Sequence, residues 1–260
     1  DPNEKLTVSG NISASGTVYA DAFNSVTGGT AIDFNDNIDL AGNLTLSGYV
    51  SAKNGYCSDT DNNTFFGNAA LCSITTGSGT NNTGLGDRAL CSTTTGDNNV
   101  GVGHKALMAN TTALFNNAVG ACALLSNETG ACNTAIGGLA LASNTSGEIN
   151  TAIGHQSLTS NTTGRYNTAV GSWRALYCNT TGCSLVAVGH GAMCFNTSGD
   201  NNVAVGFVAL RNNTTACNNI AVGYQSLYSN TTGATNTALG TDALYSNTTA
   251  SYNTAVGNKS

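Results

Sequence analysis

The chain has 260 residues, a net charge of −6 and only 8% charged residues, against about 25% in ordinary globular domains. Its solubility therefore depends on Asn, Thr and Ser, and the lack of a basic patch argues against nucleic-acid binding. No apolar run approaches the roughly 18 residues of a membrane span, so no membrane-spanning segment is expected.

Residues 1–56 alternate apolar and polar side chains between Ser-Gly turns, as in KLTVSGNISASGTVYA and NLTLSGYVSAKNG. Alternation with a period of two is typical of β-strands, and Ser-Gly pairs mark turns. The two stretches also resemble each other. We predict that residues 1–56 form a β-rich shaft or connector that is too thin to fold alone.

Residues 57–260 repeat one phrase, N-T-A-V-G-x-x-A-L-x-x-N-T-T-G-x-x, and end part-way through a copy. The spacing between successive key glycines is 19 residues, then 17 five times, 18 once and 17 four times. A period this short predicts a solenoid, in which each repeat forms one coil stacked on the previous one. Coils 1–12 are numbered by these glycines, and positions within a coil are counted from its glycine. The key glycines are Gly67, Gly86, Gly103, Gly120, Gly137, Gly154, Gly171, Gly189, Gly206, Gly223, Gly240 and Gly257.

The fixed positions of the phrase each predict a role in the coil. The large apolar residue at position −1, such as Val170 before Gly171, and the leucine at position +4, such as Leu158, are expected to fill the core. The TAVG stretch predicts a short β-strand with its valine pointing inward. The segment after the strand lacks β-branched residues and could form one helical turn per coil. The Asn that follows, such as Asn161, suits a left-handed turn.

Two further positions concern stacking and assembly. The first Asn of the phrase, such as Asn150, is replaced only by Leu185, and stacking would turn this column into a ladder of amides. Position −2 is Ala or Gly in nearly every coil and faces away from position −1 in a strand. A small apolar outer face predicts packing against other chains, most simply in a parallel homotrimer. The predicted architecture is a mainly all-β, parallel solenoid or β-roll of about twelve 17-residue coils in a trimeric fibre.

The repeats after LTVSGNISASGTVYA resemble the distal part of bacteriophage tail fibres, notably those of marine and cyanobacterial phages. The TAVG and TAIG phrases are also similar to the SVAIG of YadA-like heads in trimeric autotransporter adhesins, although the repeat here is longer. These resemblances imply a homotrimeric fibre on a virion surface that binds a host-cell glycan or protein. A non-viral extracellular adhesin or surface filament subunit is the alternative. The stacked Thr162 and Thr163 rows suggest an ice-binding solenoid as a third hypothesis.

Catalytic chemistry is not evident in the phrase. No Ser-His-Asp or Cys-His combination emerges, so we expect neither an enzyme nor a cofactor. His104, His155 and His190 share position +1, and in a trimer each could form a ring of three imidazoles for a metal or anion. Because other residue types also occupy this position, a variable exposed surface is favoured over a metal site. The acidic DTDNN segment at residues 59–63 is either a calcium site or a plain polar loop.

The nine cysteines leave the redox state open. Cys72 and Cys91 occupy the same position in coils 1 and 2. Adjacent coils stack about 4.8 Å apart, which is within the span of a disulfide. The alternative is that these cysteines pack as small apolar residues.

The largest departure from the phrase lies in coils 7 and 8. Trp173, the only Trp, and Arg174 occur where the spacing widens to 18 residues, and Leu185 replaces the ladder Asn in the next coil. Exposed Trp and Arg are typical anchors of binding sites. We therefore predict a lateral binding site at Trp173 and Arg174. The alternative is a bulge whose gap Trp173 covers.

Overall fold

A computed structural model describes residues 56–58, 61–74 and 77–260, so the shaft predicted for residues 1–56 lies outside the described residues except for Tyr56. The described chain is all-β, with 13 short strands hydrogen-bonded in chain order. β1 (Tyr56–Ser58) pairs antiparallel with β2 (Thr64–Phe66). All later pairs are parallel, which confirms the predicted solenoid. The later strands are β3 (Thr83–Leu85), β4 (Val100–Val102), β5 (Asn117–Val119), β6 (Thr134–Ile136), β7 (Thr151–His155), β8 (Thr168–Trp173), β9 (Val186–Val188), β10 (Val203–Val205), β11 (Ile220–Val222), β12 (Thr237–Leu239) and β13 (Thr254–Val256).

The segment after each strand is a series of turns, and the described residues contain no helix. The leucine at position +4 is fully buried, as predicted for Leu158, but its backbone is left-handed with a φ of 50°. Gln156 at position +2 is also left-handed, with a φ of 59°. Alternating left-handed residues fold the chain back on itself, whereas a helical turn needs consecutive right-handed ones. The prediction of a helical turn was therefore wrong, as was the left-handed assignment of Asn161.

The two faces of each strand are opposite to those predicted. Ala152 at position −2 is fully buried, while the residue at position −1 faces outward, with Ile136 42% exposed and Val170 partly exposed. The cause is the narrow interior. A Cβ atom added to Gly101 at position −2 would lie 3.2 Å from Cγ of Leu90. The leucine column leaves room for little more than a methyl group at this position, so valine cannot point inward.

The key glycine permits the close stacking of coils. Gly103 has a φ of 132°, and an added Cβ would lie 2.6 Å from the carbonyl oxygen of Gly120 in the next coil. Gly171 lacks the positive φ, but an added Cβ there would lie 3.0 Å from the carbonyl carbon of Gly189. Any side chain at this position would push neighbouring coils apart, which explains why glycine is invariant there.

Two columns of buried asparagines join the coils. In the predicted ladder at position −4, the backbone N–H and Nδ2 of Asn150 donate to Oδ1 of Asn133 at 3.0 and 3.1 Å. A second ladder, which was not predicted, runs along position +7, where Nδ2 of Asn161 donates to Oδ1 of Asn144 at 2.8 Å. Both Asn150 and Asn161 also donate to the carbonyl oxygen of Gly164. The ladders therefore satisfy the polar groups of the turns inside the stack.

The position −4 ladder is interrupted by Leu185, and the position +7 ladder begins at Asn110, because coils 1 and 2 carry Ile74 and Thr93 there. Leu185 donates its backbone N–H to Oδ1 of Asn167 at 3.0 Å, but its side chain offers no oxygen to the next coil. At position +7 of coil 2, the buried hydroxyl of Thr93 has no hydrogen-bond partner. Leu185 is therefore a break within one column, whereas Thr93 lies just beyond the end of the other.

Candidate functional site

Aromatic rings form a column on the surface at position +1 of coils 8–10. The rings of His190 and Phe207 lie 5.0 Å apart with an interplanar angle of 14°, and those of Phe207 and Tyr224 lie 5.5 Å apart at 9°. Stacked rings cover one another's faces and present mainly their edges to solvent. This part of the column stabilises the stack of coils, and Phe207 and Tyr224 are each about half exposed.

The extra residue of coil 7 forms a bulge at the start of this aromatic column. The register between β7 and β8 shifts between Ile153 and His155, and His155 pairs with Trp173. The backbone N–H of Arg174 donates to the carbonyl oxygen of His155 at 3.3 Å, the bond that a residue at position +2 makes elsewhere. Ser172 is therefore the extra residue, and Trp173 occupies position +1. The bulge is present, and Trp173 is still 47% exposed.

Arg174 lies between two aromatic rings at the corner of coil 7. Its guanidinium carbon is 5.4 Å from the ring centroid of Trp173 and 4.6 Å from that of Tyr177. Its Nε donates to Oε1 of Gln156 at 3.0 Å. The structure thus brings together the two predicted binding residues, Trp173 and Arg174, and adds Tyr177. Cation–π contacts of this kind hold a guanidinium in a fixed plane.

A second surface column runs along position +5 and was missed in the sequence. In coil 9 the guanidinium of Arg211 lies 5.2 Å from the Phe195 ring centroid, and its Nη1 donates to the hydroxyl of Tyr228 at 3.0 Å. The rings of Tyr228 and Tyr245 stack 5.2 Å apart. A signal was available, because position +5 changes from small or aliphatic residues in coils 3–6 to Tyr, Cys and Arg in coils 7–11.

The three histidines occupy one column but do not meet within the chain. Nε2 of His104 lies 3.5 Å from Oδ2 of Asp87, and the His155 ring packs against Trp173 at 5.8 Å. His190 is in coil 8, two coils from His155. Within the described ranges, no group of three or more His, Cys, Asp or Glu could hold a metal ion. Rings of histidine across a trimer stay a prediction.

The calcium candidate at residues 59–63 is only partly described. Asp59 lies outside the described residues. Oδ2 of Asp61 accepts a hydrogen bond from the backbone N–H of Gly77 at 2.8 Å, and Asn63 is buried in the ladder. These contacts favour the interpretation of this segment as a plain polar loop over a calcium site.

The thiols of Cys72 and Cys91 are neighbours on coils 1 and 2, with their Sγ atoms 2.8 Å apart. Burial raises the pKa of Cys91 to about 11, and the hydrogen bond and charge of Cys72 act in the same direction. The pair is placed for oxidation, and the disulfide itself stays a prediction.

A cavity of about 580 Å³ lies at the last coil, lined in part by Leu244, Tyr245 and Asn247. Leu244 is the core leucine of coil 11 and Asn247 is its ladder amide, so both columns border the cavity. It adjoins the position +5 column only through Tyr245 and contains none of the predicted binding residues.

Comparisons with known protein families, with curated proteins and with solved structures found no match to this chain. The fold therefore defines its class, that of a parallel β-solenoid repeat protein. Over the residues that the structure describes, no helix has the length and apolar character needed to cross a membrane.

Proposed function

We propose that the chain is a segment of a structural fibre that adheres to a cell surface. The observation that carries this proposal is the outer face of the strands, where an apolar residue at position −1 is exposed in coil after coil. A continuous apolar face of this kind is typical of a protein–protein interface. The exposed residues of this face include Leu85, Val119, Ile136, Ile153, Val188, Val222, Leu239 and Val256.

A second copy of the chain is the partner that fits this face. The apolar residues recur once per coil, so a partner must carry the same repeat to match them over the whole length. A parallel homotrimer around a common axis covers the face of every copy and leaves the opposite surface free. This arrangement replaces the predicted interface through position −2, because Ala152 lies inside the core of its own chain.

The full repeats that follow LTVSGNISASGTVYA support a virion fibre, since they resemble the distal part of phage tail fibres. The same features would serve a non-viral adhesin or surface filament. The position of the gene decides between them, because a gene that lies beside genes for virion structural proteins would favour the viral fibre. The ice-binding hypothesis has less support, because the partly buried hydroxyl of Thr162 donates to the carbonyl oxygen of Thr180 in the next coil. A thermal hysteresis assay tests it directly.

Assembly is tested by the molar mass of the full chain in solution. We expect three times the 26.1 kDa of one chain from sedimentation equilibrium. Ile153→Glu places a charge on the proposed interface and should yield folded monomers. The matched control is Ile149→Glu, which changes an equally apolar exposed residue outside the strands. A monomeric wild-type chain, or a trimer that tolerates Ile153→Glu, would overturn this arrangement.

Attachment is tested at Trp173. Trp173→Ala should reduce attachment to host cells or immobilised glycans and leave the melting temperature unchanged, because the side chain is 47% exposed. Phe115→Ala removes a similarly exposed ring from coil 4 and serves as the control. A lower melting temperature with unchanged attachment would assign Trp173 to packing instead.

A further inference from the structure

Two arginines lie on either side of Cys194 in three successive coils. Position +5 holds Tyr177 in coil 7, Cys194 in coil 8 and Arg211 in coil 9, and Arg174 stacks on Tyr177 at 4.6 Å. Arg211 packs over Phe195, the residue after Cys194, and the backbone N–H of Cys178, next to Tyr177, donates to the carbonyl oxygen of Cys194 at 2.9 Å. Burial and the nearby Cys178 raise the pKa of the Cys194 thiol, and the guanidiniums of Arg211 and Arg174 act in the opposite direction. Cys194 is short and only 5% exposed. Coils 7 and 9, which carry the two long cationic side chains, are two coil steps apart, roughly 10 Å along the stack.

Aromatic rings and neutral groups hold both guanidiniums in place. Arg211 packs over Phe195 and donates to Tyr228, while Arg174 donates to Gln156. Neither arginine forms an ion pair with a carboxylate of the described residues. The net charge of the chain is −6, yet these two fixed cations have no carboxylate counter-ion among the described residues. Fixed guanidiniums bind carboxylate and sulfate groups through paired hydrogen bonds and lose little conformational entropy on binding.

We propose that Arg174 and Arg211 bind an acidic polysaccharide, whose sugars carry carboxylate or sulfate groups, across Cys194. This inference rests on the proposed adhesive function and names the class of its receptor. A polymer with repeated anionic groups fits two separated cations better than a single anion does. The exposed edges of Trp173 and Phe195 beside the two arginines provide apolar surface for the C–H groups of the sugars.

The test measures binding of the full chain to three probes: a sulfated oligosaccharide, an oligogalacturonate and a neutral glucan of equal length. We expect the two acidic probes to bind and the neutral one not to bind. Arg174→Gln and Arg211→Gln should each weaken binding at least about tenfold, as expected for charge-assisted hydrogen bonds. Arg165→Gln is the matched control, because Arg165 already pairs with Glu148 at 3.6 Å, and it should change the affinity less than about twofold.

A second variant tests the shape of the site without changing its charge. Cys194→Leu introduces the residue that coil 4 carries at the same position, Leu125, and should place a larger side chain between the two arginines. Loss of binding with an unchanged melting temperature supports the proposal. Normal binding by Cys194→Leu, or equal losses in Arg165→Gln and Arg211→Gln, would overturn it.

The remaining outcomes distinguish a failure of the acidic-polysaccharide site from a failure of the proposed trimeric fibre. A phosphoserine peptide that binds as tightly as the sulfated oligosaccharide would overturn the assignment to polysaccharides. A chain that assembles and attaches to cells without any preference for acidic probes would also overturn it, and would leave the adhesive fibre standing. A chain that binds acidic probes as a monomer would support the site and contradict the trimer.

Discussion

Coils 3–6 and coils 7–10 share an interior and differ on the surface. In both regions the residue at position +4 is fully buried and the Asn column at position +7 is unbroken. The surface residues at position +5 differ between the two regions although this interior does not. The interior therefore determines the fold, and the surface positions can change independently of it. Position +5 holds Met108, Leu125, Ala142 and Thr159 in the first region, and Tyr177, Cys194, Arg211 and Tyr228 in the second.

The shared interior is where a substitution should have the largest effect. Ala152→Glu buries a charge without a partner, and we expect it to lower the free energy of unfolding by more than about 3 kcal/mol. Thr151→Glu changes the adjacent residue, which faces outward, and should cost less than about 1 kcal/mol. Urea denaturation of both variants measures the difference. Equal losses would show that the two faces of the strand are not distinct.

The ladder at position −4 offers a direct comparison between the two regions. The side chain of Asn133 in coil 5 takes part in four hydrogen bonds, whereas that of Asn202, which follows Leu185, takes part in two. Asn133→Ala should therefore cost about 2–4 kcal/mol of stability and Asn202→Ala about half of that. The midpoint of urea unfolding gives both values. If Asn202→Ala proves the more costly, the hydrogen bonds of the ladder do not govern stability.

Extending the position +7 ladder by one Asn should stabilise the protein, by less than the losses expected for the two Asn→Ala variants. Thr93 lies at position +7 of coil 2 with its buried hydroxyl unpaired, next to Asn110. Thr93→Asn supplies an oxygen for Nδ2 of Asn110 and should raise the free energy of unfolding by about 1 kcal/mol. Thr93→Val, which fills the space without polar atoms, is the control. Stabilisation by valine alone would mean that removal of the unpaired hydroxyl explains the gain.

The smallest expected effect concerns the pH dependence of stability at Cys91, because its thiol is partly exposed and solvent screens its charge. The unfolded thiol ionises near pH 9.0 and the folded one near pH 11, because burial favours its neutral form. The reduced protein should therefore lose stability as pH rises from 9 to about 11, since unfolding then releases a proton. Cys91→Ser should flatten this slope in urea titrations under reducing conditions. A slope that is identical in both proteins would contradict the raised pKa.

The sequence predicts the repeat, the leucine core and the first Asn ladder, because each depends only on a period and a residue type. It does not determine which strand face is inside: alternation separates Ala152 from Ile153, but only the packed leucine column decides which of them is buried. The second ladder was missed because an Asn in a turn is usually assigned to a left-handed backbone. The contacts of Arg174 with Trp173 and Tyr177 depend on where the extra residue of coil 7 is absorbed, and spacing alone does not show this.

The constant separation of ladder partners makes the length of this protein readily variable. Asn144 bonds to Asn127 and Asn161 bonds to Asn144, each 17 residues along the chain, and the offset becomes 18 only across coil 7. Deleting or duplicating one period at the DNA level therefore rejoins equivalent partners. Unequal recombination between repeats would shorten or lengthen the rod in steps of about 4.8 Å. Such events would also move the segment around Trp173 closer to or farther from either end, so its reach could evolve without any change in its chemistry.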